Sequence, residues 1–220
     1  MKNNTRAWEN AWSKGEVTAS VNITLPFLKF RSHLRVLDIG CGNGTLLNRL
    51  KEHYNIEPVG IDIVAFKNYK HSFVKADAQH LPFKDCSFDI VYGLGSIEHC
   101  ESTQQALNES FRILKNKGQA LFTFPNKLSL HTLLERPLRQ RAKLWSIGLE
   151  QSFSTGEMCR MYTLTGFSSI RYSVNYWDTK KQSLPARCYM ILDNALSKVS
   201  KNWGFFVCAF GTKQISKHSA

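Results

Sequence analysis

The 220-residue sequence has no run of 18 or more apolar residues, so nothing in it reads as a membrane span. Its start, Met1-Lys2-Asn3-Asn4-Thr5-Arg6, leads into Trp8-Glu9-Asn10 rather than the apolar stretch of a signal peptide. Six cysteines (Cys41, Cys86, Cys100, Cys159, Cys188, Cys208) form no C-x-x-C pair and no metal-type Cys/His spacing, which argues against a metal site and for reduced thiols in a cytoplasmic setting. No C-x-x-x-C-x-x-C arrangement occurs, which disfavours iron–sulfur radical chemistry. Fixed-period repeats and low-complexity tracts are also missing, so neither a solenoid nor a tether is expected. Acidic residues are scarce: 17 Asp and Glu stand against 29 Lys and Arg, and the formal charge of +12 points to an anionic partner without saying which. With 43% hydrophobic and 21% charged residues, the chain has the apolar material for one domain with a full core.

Short β-branched runs alternate with helical patterns through residue 126, as in a parallel sheet covered by helices. Strands are expected at 35–39, 58–62, 72–76, 88–92 and 120–124. Between the last two, Ser102 to Leu114 sets Ala106, Leu107, Ser110, Phe111 and Leu114 on one helical face, and Lys117-Gly118 reads as the end of that helix. Residues 127–150 hold leucines and basic side chains without a strand signal and read as an insertion or cap. Ser154-Thr155-Gly156-Glu157 has the form of a capping box, opening a helix closed by Thr165-Gly166. Two further strands, 168–176 and 204–211, flank a helix at about 187–200, which brings the count to seven strands.

The most informative stretch is Val36-Leu37-Asp38-Ile39-Gly40-Cys41-Gly42-Asn43-Gly44-Thr45, an apolar strand running into three alternating glycines and a helix. Glycines there allow a sharp turn and bring backbone N–H groups close to a ligand. A dinucleotide fingerprint starting at Gly40 and Gly42 would need a glycine where Thr45 stands, so the spacing disfavours NAD. The segment resembles motif I of the class I S-adenosylmethionine-dependent methyltransferases, an acid followed by G-x-G-x-G. Downstream strand ends agree. Asp62 ends the second strand; Asp77-Ala78 with Gln79-His80-Leu81-Pro82-Phe83 resembles "D-A-x-x-L-P-F". Phe88-Asp89-Ile90-Val91 followed by Ile97-Glu98-His99 resembles "F-D-x-V" with "L-E-H". Arg112-Ile113-Leu114-Lys115-Asn116-Lys117-Gly118-Gln119 resembles "R-x-L-K-P-G-G", departing from it at Asn116 and Lys117.

Taken in order over residues 35–125, these signatures look most like the methyltransferase type 11 group that includes the ubiquinone and menaquinone biosynthesis enzymes. The resemblance implies an α/β, Rossmann-like fold: seven strands, mostly parallel with an antiparallel last strand, helices on both faces. It implies S-adenosyl-L-methionine as cofactor and S-adenosyl-L-homocysteine as product. Gly40, Cys41, Gly42 and Gly44 would form the cofactor loop, and Asp38 would order that loop and the methionine amino group. Asp62 would take the ribose hydroxyls and Asp77 with Ala78 the adenine, while Ile63 and Gly93 join the same cofactor-binding set. Read singly, Asp62 and Asp77 also suit ordinary turn formers. The domain then divides into an N-terminal helical lid (1–34), a cofactor-binding core (35–126), a basic cap (127–153) and closing helices and strands (154–220).

Methyl transfer from a sulfonium is an in-line displacement, in which the protein holds donor and acceptor in attack geometry and removes a proton where one must leave. His99, just after strand four, is the candidate general base; the other reading is a histidine that only packs or caps. Glu98 either orients His99 or contacts the cofactor. The chain after strand four reads Tyr92-Gly93-Leu94-Gly95-Ser96, not the Asn/Asp-Pro-Pro-Tyr/Phe of enzymes acting on planar amino nitrogens, and no Pro-Cys dipeptide suggests a cytosine C5 nucleophile. A small-molecule or lipid-like acceptor, methylated at O or C, is expected; an RNA (tRNA) methyltransferase and a non-catalytic S-adenosylmethionine-binding scaffold are the alternatives. Residues 1–126 carry 15 basic and 12 acidic side chains, but residues 127–220 carry 14 and 5. There Arg136, Arg139, Arg141 and Lys143 interleave with Leu133, Leu134, Leu138, Leu144 and Trp145. That pattern suits a helix broken by Pro137 on an anionic membrane or a lipid-like acceptor, a cap with an apolar underside and a solvated basic face, or a phosphate-binding surface for RNA. Trp8 and Trp12, four apart, either anchor an N-terminal helix in the core or lid the cofactor.

Overall fold

The computed structural model describes residues 27–65, 69, 71–144, 148–175 and 184–214, with the side chains of 184–190 left aside. The expected N-terminal helix with Trp8 and Trp12 lies outside the described residues, as does Trp145. In chain order the elements are β1 (Arg35–Ile39), α1 (Thr45–Tyr54), β2 (Glu57–Asp62), β3 (Ser72–Lys75), β4 (Phe88–Leu94), a 3-10 turn (Ile97–His99), α2 (Thr103–Ile113) and β5 (Leu114–Pro125). A π-turn (His131–Glu135), α3 (Arg136–Arg141), α4 (Thr155–Thr165), β6 (Phe167–Asn175), α5 (Leu184–Ser197) and β7 (Phe206–Lys213) follow.

The strands form one seven-stranded sheet in the order β3-β2-β1-β4-β5-β7-β6. All neighbours from β3 to β5 are parallel, and β7 runs antiparallel to both β5 and β6. The chain reverses direction across the sheet at β1 and β4, where the loops leaving adjacent strands diverge and open a crevice for a ligand. β1 and β4 are buried along nearly their whole length because helices cover both faces. One face packs Ala106, Leu107 and Ile113 of α2 with Met158 and Tyr162 of α4; the other packs Leu47 and Leu50 of α1 with Ile56 and Phe210. Each fully buried leucine here contributes about 1.5–3 kcal/mol.

Local chemistry sets the helix ends. Ser102 caps α2 by accepting from the Gln105 N–H, and Ser154 with Glu157 forms the expected reciprocal box on α4, which Gly166 closes in the left-handed conformation. Several boundaries differ from expectation: β5 begins at Leu114 rather than 120, and β7 spans Phe206–Lys213 rather than 204–211. α2 stops at Ile113, well before Lys117-Gly118, because Leu114 already pairs with Phe88 of β4; Lys117 and Gly118 instead sit in the irregular stretch of β5 between the pairs Phe88↔Leu114 and Ile90↔Gln119. α5 begins at Leu184, earlier than about 187, and ends at Ser197.

In the cap, Leu130, Glu135 and Arg136 are all right-handed helical, so the π-turn runs directly into α3, and Pro137 stands inside this one helical path just past the point where π geometry gives way to α. Leu133, Leu134, Leu138 and Leu144 are exposed alongside Arg139, Arg141 and Lys143, so the leucines form no buried underside. Among the described residues no helix is long and apolar enough to cross a membrane.

Candidate functional site

The register β1–β2–β4 sets Asp38 beside Gly60 and Tyr92. Asp38 is buried, and the Tyr92 hydroxyl donates to its Oδ2 at 2.9 Å. Burial pushes the Asp38 carboxyl up to about 7, the Tyr92 bond opposes that rise, and the nearby Asp62 charge adds to it. Asp38 has no ion-pair partner among the described residues, so a cationic group brought into this crevice would restore its ionisation.

The glycine loop is tied to β2. Gly40 and Cys41 both donate to the Ile61 carbonyl, and Gly42 N–H donates to Asp62 Oδ2 at 2.9 Å. Asp62 Oδ1 accepts from Val64 N–H at 2.9 Å, so this carboxylate holds the loop with one oxygen and its own strand end with the other. A carboxylate has about four lone-pair sites, which leaves room for two further donors. Burial raises the Asp62 carboxyl, and the backbone donors, Val64 and Gly42 first among them, oppose this. The Tyr69 hydroxyl donates to the Gly42 carbonyl at 2.9 Å and braces the loop from outside.

Gly40, Gly42 and Gly44 all have positive φ, as the pattern required. Packing adds its own demand: a Cβ on Gly40 would lie 2.6 Å from Ser96 Cβ, and one on Gly44 would lie 1.9 Å from His71 Cε1. The imidazole is held there by Asn48 Oδ1, 3.2 Å from Nδ1, and by an edge contact with Tyr69. Gly44→Ala is therefore expected to destabilise the protein by about 2–4 kcal/mol, from left-handed strain plus overpacking. A double-mutant cycle with His71→Ala, read by chemical denaturation, should return about 1 kcal/mol or more of coupling. Strict additivity would mean that His71 is not what excludes the methyl group.

Asp77 is engaged locally, its Oδ1 accepting from the Gln79 backbone at 2.9 Å and from the Gln79 side chain at 3.2 Å. Gln79, which the motif reading passed over, is buried and also accepts from Ser102 N–H at 2.8 Å, joining the Asp77 turn to the start of α2. The loop beyond it is pinned by Arg112, whose guanidinium donates to the carbonyls of Leu81 and Phe83 and pairs with Glu109 and Asp85. Ala78 is buried, whereas Ile63 lies partly exposed next to Asp62. Cys41 is buried and its thiol is pushed far up by burial, so it lines the loop as an uncharged group. At Gly93 a Cβ would meet Ser96 Oγ at 2.4 Å and the Phe122 ring at 3.0 Å, so glycine there makes room for both side chains.

Past β4, the 3-10 turn carries Glu98 and His99. A strap from the far side of the cap reaches them: His99 Nδ1 donates to the Leu149 carbonyl at 2.6 Å, Gln151 N–H donates to the Glu98 carbonyl at 2.9 Å, and the Gln151 side chain donates to the Cys100 carbonyl at 2.7 Å. Because a carbonyl only accepts, Nδ1 carries the proton and the lone pair lies on Nε2, 3.9 Å from Glu98 Oε1. Burial lowers the His99 pKa, outweighing the Leu149 and Glu150 contributions, so the ring is neutral near pH 7.

Glu98 is buried, and among the described residues its Oε2 finds no hydrogen-bond partner, as is also true of Ser96 Oγ. Burial pushes the Glu98 carboxyl up to about 8. The unfolded chain releases this proton near 4.5, so ionisation increasingly disfavours the folded state as pH rises from 4.5 to about 8. Glu98→Gln should nearly match the parent at pH 4.5 and exceed it at pH 9 by on the order of 5 kcal/mol in urea titrations. A difference that stays flat across that window would show a carboxylate already ionised at low pH in the fold.

These groups meet at the carboxyl ends of β1, β2 and β4: a buried Asp38, a half-buried Asp62, a glycine turn that side chains would close, and oxygens of Ser96 and Glu98 without partners among the described residues. This set of acceptors fits a ligand that brings an ammonium group and hydroxyls, as S-adenosylmethionine does. Among the described residues no cluster of His, Cys, Asp and Glu could hold a metal ion.

Comparison with known proteins agrees. Residues 37–122 match the family model described as a methyltransferase domain. The sterol 24-C-methyltransferase of Schizosaccharomyces pombe is 33% identical over 141 residues, covering 52% of this chain and 37% of that protein. A ubiquinone/menaquinone biosynthesis C-methyltransferase of Bartonella tribocorum is 32% identical over 108 residues, covering 41% of this chain and 40% of its own. The matches span about half or less of the length of such curated relatives. Among solved structures, the complex between the Haloferax volcanii Trm112 methyltransferase activator and the putative methyltransferase has a chain that superposes with a TM-score of 0.74 at 18% identity, covering 98% of this chain and 99% of that one. At that identity the likeness concerns the fold.

Proposed function

Because this chain carries a class I S-adenosylmethionine-dependent methyltransferase domain, we propose that it transfers a methyl group to oxygen or carbon of a small-molecule or lipid-like acceptor, with His99 as general base. When bound, S-adenosylmethionine supplies a methyl group on a sulfonium, whose bond to sulfur breaks as the acceptor bond forms, leaving the thioether S-adenosylhomocysteine. The chain's own work is positional and protonic. Asp38, held by Tyr92, would receive the amino group; Asp62 would receive the ribose hydroxyls while keeping Gly42 in place; the turn at Asp77 and Ala78, with Ile63, would receive the adenine. His99 would take the acceptor's proton at Nε2.

The observation that carries this reading is the Leu149 carbonyl on His99 Nδ1, which leaves a neutral imidazole with its lone pair on Nε2 at the end of β4. Titration calorimetry with S-adenosylmethionine and S-adenosylhomocysteine tests the cofactor half: one-to-one binding is expected, and no heat from either ligand would sink it. Binding of both without turnover on any acceptor would favour the scaffold reading. Retention of tRNA on filters, with a steep decline as salt rises, would favour RNA as acceptor.

A further inference from the structure

Next to the strap at 149–153 a groove of about 710 Å³ opens between the π-turn and α4. Its lining is mixed: Leu133, Phe153, Met161 and Leu164 are apolar, and Leu133 and Leu164 are 50% and 73% exposed. Lys127, Arg136 and Arg160 line it as cations against a single acid, Glu157. Two of the three are committed: Lys127 pairs with Glu157, and Arg136 donates to Glu150 and to Ser152 Oγ. Arg160, exposed on α4, makes no ion pair among the described residues.

We propose that this groove is the acceptor site and that it takes a single-chain amphiphile with one anionic group, the charge on Arg160 and the chain along Leu133, Phe153, Met161 and Leu164. A short polar anion would leave the leucines uncovered. A cationic amphiphile would meet Arg160 with like charge, and a neutral one would leave the guanidinium without a partner. The groove is coupled to the chemistry through Gln151, which lines it and donates from backbone and side chain to the carbonyls of Glu98 and Cys100 on either side of His99. Seating the amphiphile therefore loads the same hydrogen-bonded unit that fixes His99. The word acceptor rests on the methyl-transfer reading above; the binding chemistry does not.

The test is calorimetry on the protein loaded with S-adenosylhomocysteine, using dodecyl phosphate below its micelle concentration. Binding at one site is expected, with butyl phosphate, dodecyl maltoside and dodecyltrimethylammonium each weaker by about 10-fold or more. Arg160→Glu and Arg160→Gln should weaken dodecyl phosphate by about 10-fold or more while leaving S-adenosylhomocysteine affinity within about twofold, which reports an intact fold. Equal binding of the cationic amphiphile, no effect of either variant, or capture only on phosphatidylglycerol vesicles with no binding of the monomer would each overturn the proposal. Loss of S-adenosylhomocysteine binding in the parent protein would instead strike the methyl-transfer reading, so the two failures are distinguishable.

Discussion

Asp62→Ala is expected to weaken S-adenosylhomocysteine binding by about 30- to 150-fold, corresponding to about 2–3 kcal/mol. Two losses combine. The variant removes the proposed acceptor of the ribose hydroxyls, and it also releases Gly42 N–H and Val64 N–H, both 2.9 Å from the carboxylate, so the glycine turn loses its tie to β2. Asp62→Asn separates the two: one side-chain oxygen can still accept from a backbone N–H, while the charge that strengthens a ribose bond is gone. Calorimetry should place the asparagine variant between parent and alanine. Unchanged affinity in the alanine variant would remove Asp62 from the cofactor site, whatever its part in ordering the loop.

His99→Ala should lower kcat by about 100- to 1000-fold while leaving the KM for S-adenosylmethionine within about twofold, as for loss of a general base that does not bind the donor. His99→Gln is the companion variant, since its amide can still donate to the Leu149 carbonyl and so keep the strap in place without a basic nitrogen. Both should lose the acidic limb of the pH profile. In the parent the base works only when deprotonated, and burial lowers its pKa; activity should therefore fall as pH drops through a value below 6.5 and hold above it. Single-turnover transfer of isotopically labelled methyl groups measures this. If the glutamine variant keeps the parent's rate and acidic limb, His99 is only an anchor for the cap.

Much of the cofactor side was legible because it is written in short stretches. A strand ending in Asp38, a turn that needs positive φ at Gly40, Gly42 and Gly44, and acids at the ends of the next two strands are all local signals, fixed by the period of a buried strand and the steric freedom of glycine. The same holds for the capping box at Ser154 and Glu157, whose two halves lie three residues apart. The false end at Lys117-Gly118 shows the limit of such signals: a helix ends where a competing ladder takes over its backbone, and that ladder begins on β4, at Phe88.

What remained hidden depends on residues far apart in the chain. Tyr92 meets Asp38 across 54 residues of sequence, His71 fills the space over Gly44, and the carbonyl that sets the His99 tautomer comes from Leu149, 50 residues on. None of these partners carries a pattern of its own. The cap makes the same point from the other side: leucines interleaved with arginines are compatible with a buried stripe or a wet one, and only the packing of the π-turn and α3 leaves both kinds of side chain on the surface. The sequence by itself determined the sheet, the glycine turn and the acids at its strand ends, because backbone preference and hydrophobic period act over a few residues. The tertiary structure alone decided which of those acids is buried without a cation among the described residues, which nitrogen of His99 carries the proton and where a groove opens between the π-turn and α4, because burial and long-range hydrogen bonds exist only once the chain has closed on itself.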